Sequence, residues 1–233
     1  MLPTFTMRSG FFARQAGAVV FAAALAVAIA PAARAQFGPP PTTQVHDPAA
    51  LKPPMAARVA IVEFEDMECP DCARANPMLK DAADKYKIPW VRHDFPLPFH
   101  PWSFNAAVNA RWFDDKGGKK LGDAYRDAVF ANQPSFGEDP NRLLTFTQQF
   151  AKDHGQAFPF AVDPMGKLAA AVKEDYALGQ RIGIEHTPTI WVVTSHSKGA
   201  PFVEVVDRTK LYQLIDQALE DTKGAVPAAS AKK

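Results

Sequence analysis

The sequence predicts an α/β protein in which a helical subdomain interrupts a sheet-bearing domain. Three observations carry that prediction. Apolar residues from Val59 to Phe64 fall on both parities of a period-two pattern, as in a strand buried on both faces. A helical spacing follows almost at once, with Cys72, Ala75, Leu79, Ala82, Ala83 and Tyr86 on one side. About seventy residues of further helical pattern then lead to two β-rich runs, Thr189 to Thr194 and Phe202 to Val206. A polar loop joins those runs, so they read as an antiparallel hairpin.

The first 35 residues carry Arg8, Arg14 and Arg34 and no acid. An apolar run from Ala16 to Ala30 and the small-residue site Ala33-Arg34-Ala35 precede Gln36. Residues 1–35 therefore read as a secretory signal peptide, and the protein as periplasmic or otherwise extracytoplasmic. An uncleaved anchor fits less well, because the run is mostly alanine and short of the ~20 apolar residues a span needs. No cysteine follows the cleavage site, which excludes a lipoprotein. Loss of the three arginines takes the formal net charge from +1 to −2. Nothing in that balance points to nucleic acid or an anionic membrane surface.

Residues 36–56 form an extended, proline-rich lead with no helical period, too short for a dimerisation domain, so a monomer is expected. The main domain is expected over 57–222, ample for one core with a helical insertion at about 99–165. Its second strand runs from Pro89 to Phe95. Phe104, Val108 and Trp112 make one helical stripe; Leu121, Ala124, Tyr125, Ala128 and Val129 make the next. Asp139-Pro140 is an N-cap followed by proline at the first helical position, and Asp163-Pro164 repeats the device for a fourth helix beginning near Met165. Asp207 is placed to cap a last helix bearing Leu211, Leu214, Ile215, Ala218 and Leu219. Residues 223–233, rich in alanine, proline and lysine, read as a disordered tail.

The chemistry is concentrated in Cys69-Pro70-Asp71-Cys72, which holds the only two cysteines. Cys69 stands at the strand-to-helix junction, where unpaired N–H groups and the helix dipole favour a thiolate. Cys72, one turn on, faces the core as the resolving thiol. Structural zinc lacks further ligands, since no second cysteine pair and no H-x-x-x-H is present. An inert bridge across two residues closes almost no loop and stabilises little. Copper delivery by the two thiols and His186 is a reading from a different class. In an exported chain with no other cysteine, redox exchange is favoured over all three.

Glu63, six positions before Cys69, Pro77, eight after it, Pro70, and Thr187-Pro188-Thr189 together resemble the thioredoxin superfamily. Within it, the chain is similar to a DsbA-type periplasmic thiol oxidase with a helical insertion. The resemblance covers residues 55–222 and implies a thiol:disulfide oxidoreductase whose only redox group is the Cys69–Cys72 pair, without metal or other cofactor. It implies that Cys69 is the nucleophile and that Cys72 resolves the mixed disulfide. Glu63 would accept the proton of Cys72. Pro188 would be cis opposite the disulfide, Thr187 would pair with an extended substrate segment, and Pro70 and Asp71 would be the exposed dipeptide beside it. Reduced or unfolded proteins would be the clients and a membrane quinone-linked reoxidase of DsbB or VKOR-like type the electron partner. A reductase remains the neighbouring alternative.

His186 departs from the family, where a small residue commonly precedes the threonine, and is expected to modulate the thiolate. Asp71 stands where a histidine is common, and Glu65, Asp66 and Glu68 add acid nearby. Each such charge disfavours the thiolate by about 1 kcal/mol at an effective dielectric near 20, pushing toward a less oxidising protein.

Overall fold

The computed structural model describes residues 42–195 and 197–224 of the 233-residue chain. The stretch read as an export signal and nearly all of the tail lie outside them. No described helix is long and apolar enough to cross a membrane.

Among the described residues, four strands, β1 (Val59–Glu65), β2 (Trp90–Asp94), β3 (Thr189–Thr194) and β4 (Phe202–Glu204), form one sheet in the order β2-β1-β3-β4. β1 pairs with β2 in parallel and with β3 in antiparallel sense, and β4 closes the antiparallel edge. All seven residues of β1 are buried, as its unbroken apolar run requires of a strand covered on both faces. Six described helices accompany the sheet: α1 (Pro70–Tyr86), α2 (Ser103–Gly117), α3 (Lys119–Phe136), α4 (Pro140–Asp153), α5 (Lys167–Ile182) and α6 (Leu211–Asp221).

Three apolar clusters divide the labour. Ala75, Leu79 and Ala82 of α1 and Leu211 and Ile215 of α6 cover one sheet face, against Val59, Ile61, Ile190 and Val192. On the other face, Ile182 of α5 packs with Phe64, Phe95 and Trp191. The third cluster belongs to α2, α3 and α4, around Trp102, Phe113, Tyr125, Leu143 and Phe150, and it takes in Met67, Cys69 and Cys72. The helical subdomain is thus packed directly onto the cysteine motif.

Local sequence explains most boundaries. Asp139 caps α4 by accepting from the Asn141 amide at 2.9 Å, and Pro140 supplies a preset φ at the first helical position. Three expectations are corrected. The fourth predicted helix starts at Lys167 rather than near Met165, because Gly166 stands in the left-handed region at φ 67° and separates it from Asp163-Pro164. Asp163 still serves this helix by accepting from the Ala169 amide at 2.8 Å, while Met165 is exposed. β4 ends at Glu204, two residues early, since Val205 turns into the core beneath α6 although its amide still reaches Ile190 O at 2.8 Å. Asp207 caps a 3-10 turn at Arg208–Lys210 that precedes α6. The end of the proline-rich lead is docked. His46 N donates to Ile182 O at 2.9 Å, Thr43 N to Glu204 Oε2 at 2.7 Å, and Leu51 is buried with Phe64 and Trp191.

Candidate active site

Cys69 is the N-cap of α1, with extended backbone (φ −72°, ψ 120°), and Pro70 occupies the first helical position. Its amide donates to Asp66 O at 3.0 Å, and its Sγ lies 3.3 Å from Thr187 O. This places the thiol over the unpaired amides of the first helical turn. The pKa of Cys69 falls from 9.0 to about 6, chiefly because the Cys72 thiol donates to it. Thr187 and the amides of Cys72 and Asp71 add to the effect against the cost of burial, while the Thr187 hydroxyl itself is buried with no hydrogen-bond partner. Cys72 is fully buried, and its pKa is pushed well above the ordinary thiol value by desolvation, by Cys69 and by the charge of Glu63. Both thiols are unbridged in this structure. The two sulfurs are therefore made unlike: one is held as an anion near the surface, the other as a neutral thiol inside.

Glu63 lies in the buried middle of β1 on the face that α1 covers, sharing it with Val59 and Ile61. Its Oε2 accepts from Trp90 Nε1 at 3.0 Å, while Oε1 is buried with no hydrogen-bond partner. Desolvation, helped by the neighbouring Glu65, raises its pKa from 4.5 to about 8, against the opposing pull of Arg92 and the Trp90 hydrogen bond. The group is neutral at neutral pH and able to exchange a proton with a thiol.

The other acids near the motif are engaged, unlike the bare charges expected from sequence. Glu65 accepts from Arg92 Nη2 at 2.8 Å, and Arg126 Nη1 bridges it to Asp94 at 3.4 and 2.7 Å. Asp66 accepts from the amides of Glu68 and Leu97 and from His100 Nδ1, each at 2.7 Å, and from the Ser103 hydroxyl. Glu68 accepts from the Trp102 and Ser103 amides at the start of α2, at 2.8 and 2.9 Å. Asp71 is paired with Arg208 and Arg74. His100 and the backbone amide of Trp102 are thus donors to these acids, as the Trp90 indole is to Glu63.

The Thr187–Pro188 bond is cis and the segment lies against Cys69 through Thr187 O. His186 O accepts from Thr189 Oγ1 at 2.6 Å. The His186 side chain lines a pocket of about 160 Å³ with Gln44, His46 and Gly183, formed with the docked lead. Among the described residues, no group of three or more His, Cys, Asp or Glu is arranged to hold a metal ion. The structure thus brings Cys69, Cys72, Glu63, Thr187, Pro188, Pro70 and Asp71 together. Sequence reading missed Trp90 and Arg208 as partners of the site. The first follows only from the β1–β2 register, in which Trp90 stands opposite Ile61 and Arg92 opposite Glu63.

A sequence profile described as thioredoxin matches residues 54–207. The chain belongs to the thioredoxin family. Among solved structures, this thioredoxin-family protein is similar to α-DsbA1 of Wolbachia pipientis. The identity is 17%, the TM-score 0.56, and the match covers 70% of this chain and 89% of that one. It is also similar to oxidised BdbD of Bacillus subtilis at 22% identity and TM-score 0.56, covering 76% of this chain and 97% of that one. These likenesses establish the fold, a thioredoxin-like domain with an inserted helical subdomain. By sequence, the chain is 24% identical over 179 residues to the Na(+)/H(+) antiporter NhaA 3 of Salinispora tropica, covering 76% of this chain. It spans about a quarter (26%) of that antiporter's length.

Proposed function

We propose that this protein is a thiol:disulfide oxidoreductase that oxidises client proteins through Cys69 and Cys72. The observation that carries the reading is the inequality of the two thiols: a Cys69 pKa near 6 beside a Cys72 pKa pushed well above 9.0. A stabilised thiolate favours the dithiol state, so the disulfide is a stronger oxidant, and it makes Cys69 the better leaving group.

In the oxidising direction a client thiolate attacks Cys69 Sγ, the Cys69–Cys72 bond breaks, and Cys72 leaves with the electron pair. The protonated Glu63 delivers its proton to that sulfur. A second client thiolate then attacks the client sulfur of the mixed disulfide, the client disulfide forms, and Cys69 departs as a thiolate. The two electrons rest in the dithiol until an acceptor removes them; a quinone-linked membrane reoxidase of DsbB or VKOR-like type fits that need. In the reverse step Cys72 attacks Cys69 and Glu63 accepts its proton. The Thr187 backbone offers pairing groups to an extended client segment, as in strand addition, with Pro70 and Asp71 alongside. Export by a signal peptide over 1–35 and a monomeric state belong to the same proposal.

A redox titration against glutathione tests it. The expected potential lies well above the roughly −270 mV of thioredoxin; a value near that one would assign the protein to reduction instead. Cys72→Ser is expected to accumulate mixed disulfides with clients and Cys69→Ser to abolish exchange. Trapping by Cys69→Ser would reverse the assigned roles.

A further inference from the structure

Asp71, between the two cysteines, does not stand as an isolated charge. Arg208, 137 positions downstream in the 3-10 turn after β4, reaches back with both terminal nitrogens. Its Nη2 lies 2.6 Å from Asp71 Oδ1 and its Nη1 3.2 Å from Asp71 O. Arg74, one turn along α1, adds contacts to the same carboxylate oxygen at 2.9 and 3.2 Å. The turn that presents Arg208 is closed by Asp207, which accepts from the amide and hydroxyl of Thr209. Arg208 and Asp71 are each about one-third exposed, whereas Arg74 is two-thirds exposed and more heavily screened by water.

We propose that Arg208 is a positioning residue for Cys69: by gripping the carboxylate and the carbonyl of Asp71 together, it cancels the acid beside the thiolate and orients the Asp71–Cys72 peptide, whose N–H is the Cys72 amide, toward Cys69 Sγ. The proposal rests on Cys69 as the thiolate nucleophile.

Two physical consequences follow from the grip. A carboxylate two residues from a thiolate repels it, and a guanidinium fixed on that carboxylate removes most of the repulsion. The Cys72 amide is one of the first-turn donors that favour the Cys69 anion. The Asp71 carbonyl belongs to the same planar peptide unit as that amide, so a hydrogen bond to it restrains the donor. The remaining acids around the thiol are held by other partners. Glu68 is taken by the Trp102 and Ser103 amides, Asp66 by Leu97, His100 and Ser103, and Glu63 lies inward with Trp90. From α3, Gln133 contributes an uncharged contact, its amide donating to Cys69 O at 3.1 Å. Asp71 is therefore the acid whose effect on Cys69 depends on Arg208, and the acidic dipeptide is compatible with a low thiol pKa because the distant turn neutralises it.

The test is the ultraviolet thiolate absorbance of the reduced full chain against pH, for the wild type, Arg208→Leu, Asp71→Asn and the double variant, with circular dichroism as the check on folding. Arg208→Leu is expected to lower the thiolate-to-thiol ratio of Cys69 about three- to fivefold, the range a partly exposed charge pair supports. In the Asp71→Asn background the same substitution should have less than half that effect. An unchanged titration in folded Arg208→Leu overturns the proposal. So does an equal shift in both backgrounds, which would mean that Arg208 acts on the sulfur without Asp71. Arg208→Lys, which keeps the charge but not the two-point grip, should fall between wild type and Arg208→Leu, and decides the matter if the leucine variant does not fold: no shift refutes the grip. Persistence of the low-pH thiolate transition in Cys69→Ala would refute the assignment of Cys69 as the thiolate and overturn the proposal with it.

Discussion

Replacing Glu63 by glutamine should make the protein more stable and slower, with a pH signature that separates this carboxyl from an ordinary buried acid. Glu63 titrates near 8 in the folded protein against 4.5 for the free group, because burial penalises its charge. An acid with a raised folded pKa binds more protons folded than unfolded. Its ionisation penalty is absent below about pH 4.5, grows by about 1.4 kcal/mol per pH unit, and levels off above about pH 8. By pH 7 the penalty is roughly 3 kcal/mol. Glutamine keeps an acceptor for Trp90 Nε1 but carries two N–H donors where the protonated acid carries one, so it gains the ionisation penalty less the cost of one more buried donor. Glu63→Gln is therefore expected to be no more stable than the wild type near pH 4.5 and to exceed it by about 1–3 kcal/mol at pH 7, read from urea denaturation at several pH values. Resolution of a preformed Cys69–glutathione mixed disulfide by Cys72, followed by rapid mixing, should slow about a hundredfold with loss of the proton acceptor. A stability difference independent of pH would refute the assigned pKa. Unchanged resolution would remove Glu63 from the chemistry.

Alkylation of Cys69 in the reduced protein should rise through a midpoint near pH 6 and be nearly complete in its rise by pH 7.5, since the thiolate is the reactive form. A midpoint near 9 would mean that the helix terminus and Cys72 give no stabilisation. Arg126→Leu should destabilise the fold by about 3 kcal/mol, seen as a lower urea midpoint at unchanged slope, because Asp94 and Glu65 stay buried with one counterion fewer. The lower end of the range for broken buried pairs applies because Arg92 and Arg111 still hold the two acids. A loss below about 1 kcal/mol would show that this cluster relaxes without Arg126.

The fold was legible because its signals are local. A strand buried on both faces, a helix opening at a cysteine and a proline, and a hairpin near the end each announce themselves within ten residues or so. Helix starts were legible where a cap acts across two residues, as at Asp139. They were misplaced where an acid reaches across six, as Asp163 does to Ala169 around Gly166. The cysteines, Glu63 and Pro188 were legible because their spacing is diagnostic as a set. The partners of the acids were not, because charge in a sequence carries no information about pairing. Glu65 meets Arg92 through a parallel register, and Asp71 meets Arg208 through a turn at the other end of the chain. Counting acids near the motif therefore leaves out the partners that offset their repulsion of the Cys69 thiolate. The docking of the lead was hidden for a related reason: proline-rich sequence specifies an extended path but not the surface it lies on.

Asp66 and Glu68 receive, within a few residues before Cys69, the chain from Leu97 to Ser103 that begins the helical subdomain. The attachment is a local joint between the root of the insertion and the reacting end of the sheet, like a keyed coupling that fixes orientation at one end of a part. Beyond Ser103 the hydrogen bonds that orient the motif are few, Gln133 on α3 being one. The exposed face of the distal helix α4 can change while its buried face, with Leu143 and Phe150, keeps the core beneath the thiols intact. Such an arrangement lets one pair of thiols be carried under differently shaped covers.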